Sequence, residues 1–522
     1  MRYNMTDKTR FWLPSLADVF FLCPFLYLAL SSGRNLLNDG DTGYHIRVGE
    51  YILENFTVPR QDIFSQIVPP LPWVAHEWLS EVLMAVVHSF AGLTGTVLFF
   101  SFLIALTYFL LFISAKSDNS NLVVVVGTVL LVIVSSSIHW LARPHVFSLV
   151  FTVTWYAILN NYQYRGKNHL WLLPLLMLVW VNLHGGFVIG FMILGIYLFG
   201  NLISVVFSAD HDRHLCKQKC KKLLLVAAAS LGLSLLNPQG YSIIFFPFDT
   251  VSNKFVMNNV LEFLSPNFHG RLPYKYLLLL AIGVISVSKK RLDVIQFILL
   301  LLFVYMSLYS ARYIPLFAII VTPILVKQLN GLIQSDSKAA QFLQERSRHL
   351  ELADASAKGH IWPIAAVSFV CVLTATDGGQ FKFSDSKLPV AAVEFLKKET
   401  IKGNMFNNDE FGDYLIYAAW PKYKVFFDGR SDMYGEKWGT QYLKVVNLRP
   451  GWEQVIEKHN MTWIFCHAAS SLSAILLEKN EWQLIYADKL AHIFVKRIPE
   501  YSSLIEKYRD VRPLPLTHDR LN

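Results

Sequence analysis

Apolar runs of about 17–22 residues recur from residue 11 to residue 376, each long enough to cross a hydrocarbon core about 30 Å thick. About eleven such runs predict membrane-crossing helices near 11–32, 94–115, 121–139, 145–161, 168–184, 187–207, 222–237, 273–288, 292–310, 313–329 and 360–376. The first could be read as a signal peptide ending near Ala29-Leu30-Ser31, but its length favours an uncleaved crossing. From about residue 385 the pattern changes to that of a small α/β domain. Leu388–Lys398, Gly451–His459 and Ser471–Lys479 read as helices there. Asn404–Asn407, Lys424–Asp428 and Trp463–His467 read as strands, and Trp482–Ala487 with Ala491–Lys496 as a closing hairpin.

Composition narrows the class. With 53% hydrophobic and only 16% charged residues, a soluble globule is excluded, and so are a disordered chain, a collagen-like fibre and a coiled coil. What remains is an all-α polytopic membrane domain followed by a small extracytoplasmic α/β domain. The 47 Lys+Arg exceed the 38 Asp+Glu by 47 − 38 = 9. In such a chain that excess holds loops on one side of the bilayer, so nucleic acid is not an expected partner. Lys116, Arg165 with Lys167, the Arg213–Lys222 cluster, Lys289-Lys290-Arg291 and the 327–358 segment all fall inside if the N-terminus is cytoplasmic. Residues 1–376 then form the transmembrane domain with a large first outer loop, 33–93, and residues 377–522 lie outside. Only Cys466 of the five cysteines sits in that tail, so no disulfide within it is expected.

The outer links are 33–93, the turns at 140–144, 184–187 and 311–312, and 238–272; they carry His, Trp, Asn, Asp, Arg and Pro where the inner links carry Lys and Arg. The first opens with Asn38-Asp39-Gly40-Asp41-Thr42-Gly43-Tyr44-His45. Its two acids can supply a general base and a ligand for a cation, or can simply cap a helix starting near Thr42. His45 lies four residues after Asp41, on the same helical face. In Pro72-Trp73-Val74-Ala75-His76-Glu77-Trp78, the aromatics around His76 and Glu77 suit either a sugar ring or an interfacial belt. Arg143-Pro144-His145, Asn182-Leu183-His184 and Arg312-Tyr313 stand at outer helix ends, where a guanidinium either binds a lipid phosphate or snorkels to head groups. Asn237-Pro238-Gln239-Gly240 reads as a helix stop, with Glu262 downstream as a candidate second acid.

In the tail, Phe427-Asp428-Gly429-Arg430 either aims both charges at a ligand or closes them into an internal pair. His211, His214, Cys216 and Cys220 make a metal set by residue type, but with unusual spacing on a Lys-rich inner link. There is no phosphate-binding Gly-x-x-x-x-Gly-Lys-Ser/Thr loop and no Gly-x-Ser-x-Gly elbow.

Taken together, Asp39-x-Asp41-x-x-x-His45-x-x-x-Gly49, Trp73-x-x-x-Glu77-Trp78, Arg143-Pro144, Asn182-x-His184-Gly185, Asn237-Pro238-x-Gly240 and Phe427-Asp428-Gly429-Arg430 resemble a group of bacterial membrane proteins commonly placed in the GT-C superfamily of glycosyltransferases. That superfamily uses polyprenyl-phosphate-linked sugars as donors. The resemblance implies a multi-pass protein of the bacterial inner membrane. It implies inverting transfer of a sugar to an extracytoplasmic acceptor, which could be a glycan, a lipid or a protein. Asp39 or Asp41 would be the base, with room for a divalent cation such as Mg²⁺ or Mn²⁺ on that pair. His45, His76, Glu77, Arg143, His145, Asn182, His184, Arg312, Asp428 and Arg430 would contact substrate. The Trp-Trp-Asp-Tyr-Gly signature of oligosaccharyltransferases is missing. The rival readings are a flippase for lipid-linked saccharide and a non-catalytic envelope-assembly protein. Polar residues at outer helix ends, and no internal repeat, favour the enzyme. Asp39, Asp41, Arg143, His184 and Arg312 are then expected to converge around one outward-facing cavity.

Overall fold

The computed structural model describes residues 12–117, 120–207, 210–334, 337–357, 360–376 and 380–515, with the side chains of 210–212 also outside that set. Within these residues, five helical stretches are long and apolar enough to cross a membrane: Leu16–Leu37, Trp78–Ala115, Leu122–His139, Gly185–Phe207 and Ala311–Ile333. A sixth results if the bent pair Lys338–Ser356 and Ile361–Thr376 is one span. Fewer stretches than the eleven expected therefore meet that standard. Leu172–Leu183, Tyr274–Val287 and Val294–Tyr309 are apolar but shorter than the roughly 20 residues a full crossing needs. The cause is local at two of them, because extended backbone at His184 (φ −164°, ψ 143°) and Ser310 (φ −144°, ψ 133°) ends the helix before it.

Two boundaries move. The run at 94–115 is the second half of a helix that begins at Trp78 and bends at Ala91 and Gly92, so the loop expected at 33–93 ends near residue 77. The basic link before 222–237 is itself helical, continuous from Asp210 to Ser234.

The tail holds one sheet of order β1-β2-β4-β3, with β1 Asn404–Asn407, β2 Met461–His467, β3 Trp482–Ala487 and β4 Ala491–Lys496. β1 runs parallel to β2, and the β3–β4 hairpin is antiparallel. The strand expected at Lys424–Asp428 does not form. Its backbone is used elsewhere: Val425 N–H donates to the Phe64 carbonyl at 3.1 Å, and Gln66 N–H to the Val425 carbonyl at 2.9 Å, tying the tail to the loop that precedes Trp78. Helices at Asp409–Ala419 and Ser431–Val446, absent from the sequence reading, fill the space between sheet and loop.

One buried cluster runs from Leu28 and Trp155 among the membrane helices to Tyr414 and Trp463 in the tail, so the tail packs on the helices. The Asp41–Asn55 helix is held between the two parts. At Gly49 a side chain is impossible, since a Cβ there would lie 2.0 Å from the Glu81 carbonyl oxygen of the Trp78–Ala115 helix. On its other side Arg47 donates to the Tyr417 carbonyl at 2.8 Å, joining it to the Asp409–Ala419 helix. The first acids of the loop are thereby fixed between a membrane helix and the tail.

Candidate active site

Asp39 and Asp41 separate in role. Asp39 Oδ1 accepts the Asp41 N–H at 3.0 Å, so it satisfies one of the free donors at the helix start. Asp41 is the first residue of that helix, and its carboxylate meets the Arg143 guanidinium at 2.5 Å. Arg143 also pairs with Asp39 at 2.8 Å and lies 3.6 Å from Glu262. Its backbone is set by the neighbouring residue, whose N–H donates to the Leu36 carbonyl at 2.9 Å and whose carbonyl accepts from Thr42 Oγ1 at 3.1 Å. The cation between Asp39 and Asp41 is thus an arginine; the divalent ion expected on that pair would have to displace it.

Glu262, on the short helical turn Leu261–Phe263, passes the network onward. It pairs with Arg312 at 2.7 Å, and Arg312 lies 5.0 Å over the Phe263 ring. Burial works to raise the Glu262 carboxyl, but Arg312 and Arg143 prevail and hold it at about 2. Arg312 Nη2 stands 3.4 Å from His184 Nε2, which is 3.3 Å from Glu77. The tautomer follows from the other ring nitrogen. Gly186 N–H donates to His184 Nδ1 at 2.9 Å, and Ser148 Oγ, itself an acceptor from Trp180 Nε1 at 2.7 Å, sits 2.7 Å from the same atom. Nδ1 is therefore the acceptor, and neutral His184 presents Nε2–H to Glu77. Burial lowers His184 to about 3, so the neutral form prevails at physiological pH.

Glu77, directly before the Trp78–Ala115 helix, faces His45 at 3.6 Å, His76 at 3.6 Å and His184. Burial would raise its carboxyl, yet His76, His45 and His184 hold it well below the usual carboxylate range. Burial likewise lowers His45 to about 3.

The tail contributes an acid that the sequence reading missed. Asp413, on the Asp409–Ala419 helix, accepts the Gly429 N–H at 2.8 Å and is hydrogen-bonded to Asp41. Gly429 makes room for both: a Cβ there would lie 2.4 Å from Asp41 Oδ1 and 3.1 Å from Asp413 Oδ2. Burial, then the neighbouring charges of Asp41 and Asp428, push Asp413 well above the ordinary value. Burial also raises Asp41, against the pull of Arg143, to about 8. At neutral pH the pair retains a proton. The one available signal was three acids, Asp409, Glu410 and Asp413, within five residues of a segment otherwise lacking a chemical motif.

Other candidates are placed differently. Arg430 donates to Asp428 through Nε at 2.8 Å and Nη2 at 2.7 Å, and pairs with Asp62 at 2.9 Å; all three are buried. The internal pair is the arrangement that occurs, and it bolts the tail to the first loop. The Arg430 guanidinium lies 4.7 Å over Trp73, so that ring has one face already covered. Asn182 Oδ1 accepts from Trp78 Nε1 at 2.8 Å and from Asn237 at 3.1 Å, while its amide donates to the carbonyls of Leu178 and Leu236. These bonds fasten helix ends together. The His76 ring, beside Glu77, also lies against Phe246 at 4.2 Å, whereas His145 Nε2 faces the His139 carbonyl at 2.8 Å and, among the described residues, forms no ion pair.

Among the described residues, the group of His, Cys, Asp and Glu side chains close enough to share a metal ion is His45, Glu77 and Glu81. His214, Cys216 and Cys220 do not form one, and the side chain of His211 lies outside the described residues. Asp39, Asp41, Arg143, Glu262, Arg312 and His184 do connect, by direct contact with one another.

No protein-family model and no curated protein matches this sequence. A solved structure, the crystal structure of ArnT from Cupriavidus metallidurans bound to undecaprenyl phosphate, is similar at 11% identity with a TM-score of 0.47, over 93% of this chain and 98% of that one. At that identity and overlap the likeness says nothing of chemistry.

Proposed function

We propose that the chain is an integral membrane glycosyltransferase of the GT-C type, moving a sugar from a polyprenyl-phosphate-linked donor to an acceptor hydroxyl on the outer face of the bacterial inner membrane. One observation supports this reading above the others. Arg143 joins a carboxyl pair able to take a proton, Asp41 with Asp413, to the Glu262, Arg312 and His184 group able to hold a phosphate. A transfer that expels a lipid phosphate needs both functions side by side.

In this reading the acceptor hydroxyl gives its proton to Asp41 as its oxygen bonds to the anomeric carbon. The bond from that carbon to the phosphate oxygen breaks, and the electron pair leaves with the lipid phosphate. Arg312, with its planar fork, and His184, with Nε2–H, stabilise that charge, and Arg143 holds Asp41 in place. Inversion follows from a single displacement.

Polyprenyl phosphate carrying no sugar tests the phosphate half alone. It should raise the unfolding temperature of the purified full chain in detergent, and Arg312→Gln should remove most of that shift. Equal shifts in both proteins would contradict the assignment of Arg312.

The proton half predicts a pH profile. A base at about 8 is ionised only above that value, so kcat/KM should rise about tenfold per pH unit and level off near pH 8. The Asp413 hydrogen bond lowers Asp41. Asp413→Ala should therefore move the rise to higher pH, and Asp413→Asn, which can still donate to Asp41 and accept from Gly429, should restore it. An unchanged profile in Asp413→Ala would remove Asp413 from the mechanism.

A further inference from the structure

Behind the ion-pair network lies a group whose polar atoms are not balanced. His45 is placed between two carboxylates, with Nδ1 3.1 Å from Glu81 Oε1 and Nε2 3.6 Å from Glu77 Oε2. A neutral imidazole carries one N–H, so it donates to one carboxylate and turns a lone pair toward the other. The second oxygen of Glu81, on a side chain only 2% exposed, is buried without a hydrogen-bond partner. Among the described residues no Lys or Arg forms an ion pair with Glu77 or Glu81, although Arg143 and Arg312 neutralise the acids next door. Two buried carboxylates with neither Lys nor Arg beside them, one orphaned oxygen and a misdirected lone pair have a common remedy.

We propose that His45, Glu77 and Glu81 bind one divalent transition-metal cation of the zinc class. The donors are an imidazole and two carboxylates, a set that suits zinc better than the all-oxygen shells of calcium or magnesium. One ligand atom from each residue lies within 4.8 Å of the others. Bonds of about 2.0–2.2 Å hold tetrahedral donors roughly 3.4 Å apart, so the side chains close by about 1 Å on binding. Glu77 and Glu81 are four residues apart at one helix start and face the same side, whereas His45 comes from the first-loop helix. The ion staples that helix to the Trp78–Ala115 helix, which also carries the Gly49 contact. It lies one helical turn from Asp41 and fixes the helix that presents this acid. His184 is not a ligand, because its Nδ1 is committed as an acceptor and its Nε2 carries the proton.

The test needs no sugar donor. The full chain in detergent is stripped with a chelator, reloaded with Zn²⁺ or Co²⁺ and passed over a desalting column, and bound metal is counted by mass spectrometry. The wild type should retain about one zinc per chain, gain several degrees of thermal stability from it, and with Co²⁺ show the visible absorption of a low-symmetry N/O site. Glu81→Gln and His45→Gln should each lose the metal, the spectrum and the stabilisation. Cys216→Ser with Cys220→Ser should keep all three. Wild-type protein that retains no metal overturns the proposal, as does equal retention in the Glu81→Gln and His45→Gln chains. Glu77→Gln gives a third reading should either of those fail to fold.

Discussion

Asp41→Asn should lower sugar transfer by about 10³-fold, within the range typical of losing a general base, while the chain still folds. Asparagine keeps the shape of the side chain and can still accept from Arg143. Arg143 itself remains paired with Asp39 at 2.8 Å and near Glu262, so the network stays joined. What is lost is the proton acceptor. The measurement is kcat/KM alongside the unfolding temperature. A fall in both together would mean that Asp41 holds the fold; a fall in kcat/KM alone is the expected result.

Arg430→Met should have the largest effect on stability, a loss of about 3–5 kcal/mol, as is usual when one partner of a buried ion pair is removed. Asp428 is fully buried, Asp62 nearly so, and both direct carboxylate oxygens at this guanidinium. Methionine leaves them without a counter-charge and uncovers the Trp73 and Phe64 rings that the guanidinium overlies. Adding Asp428→Asn and Asp62→Asn should recover much of the loss, since the desolvated charges are then gone. Protease resistance of the tail, followed beside thermal unfolding, reads the effect where it arises. A substitution within about 0.5 kcal/mol of wild type would mean that the tail is not fastened there.

The class of the protein was legible in the spacing of apolar runs, and most of the tail's strands and short helices were legible in their periodicity. Which of those runs form a single helix of full crossing length was not. Apolar length shows that a segment can enter a bilayer, but His184 and Ser310 end their helices through extended backbone that apolarity does not encode. The chemistry divided along a similar line. Asp41, Arg143, His184 and Arg312 stand at or beside helix ends, where polar residues in an apolar chain announce themselves. Asp413 stands in an ordinary amphipathic helix, and only the fold brings it to Asp41. The Phe427–Arg430 segment was visible as a motif, yet its parts do different things. Asp428 and Arg430 close an internal lock, and Gly429 between them leaves space for the carboxyl pair. Val425 shows the same limit: its residue type favours a strand, but its backbone partners, Phe64 and Gln66, belong to the loop that precedes Trp78.

Cleavage of a sugar–phosphate bond is the step that the proposed chemistry requires of this site. Its most direct test is to reconstitute the purified chain in liposomes with polyprenyl-phosphate donors bearing radiolabelled pentoses or hexoses and extracts containing extracytoplasmic acceptors, in wild-type and Asp41→Asn forms. The wild type should release free polyprenyl phosphate and pass the label to an acceptor, and Asp41→Asn should do neither. Label that crosses the bilayer with the sugar–phosphate bond intact, or turnover equal in the two forms, would contradict it.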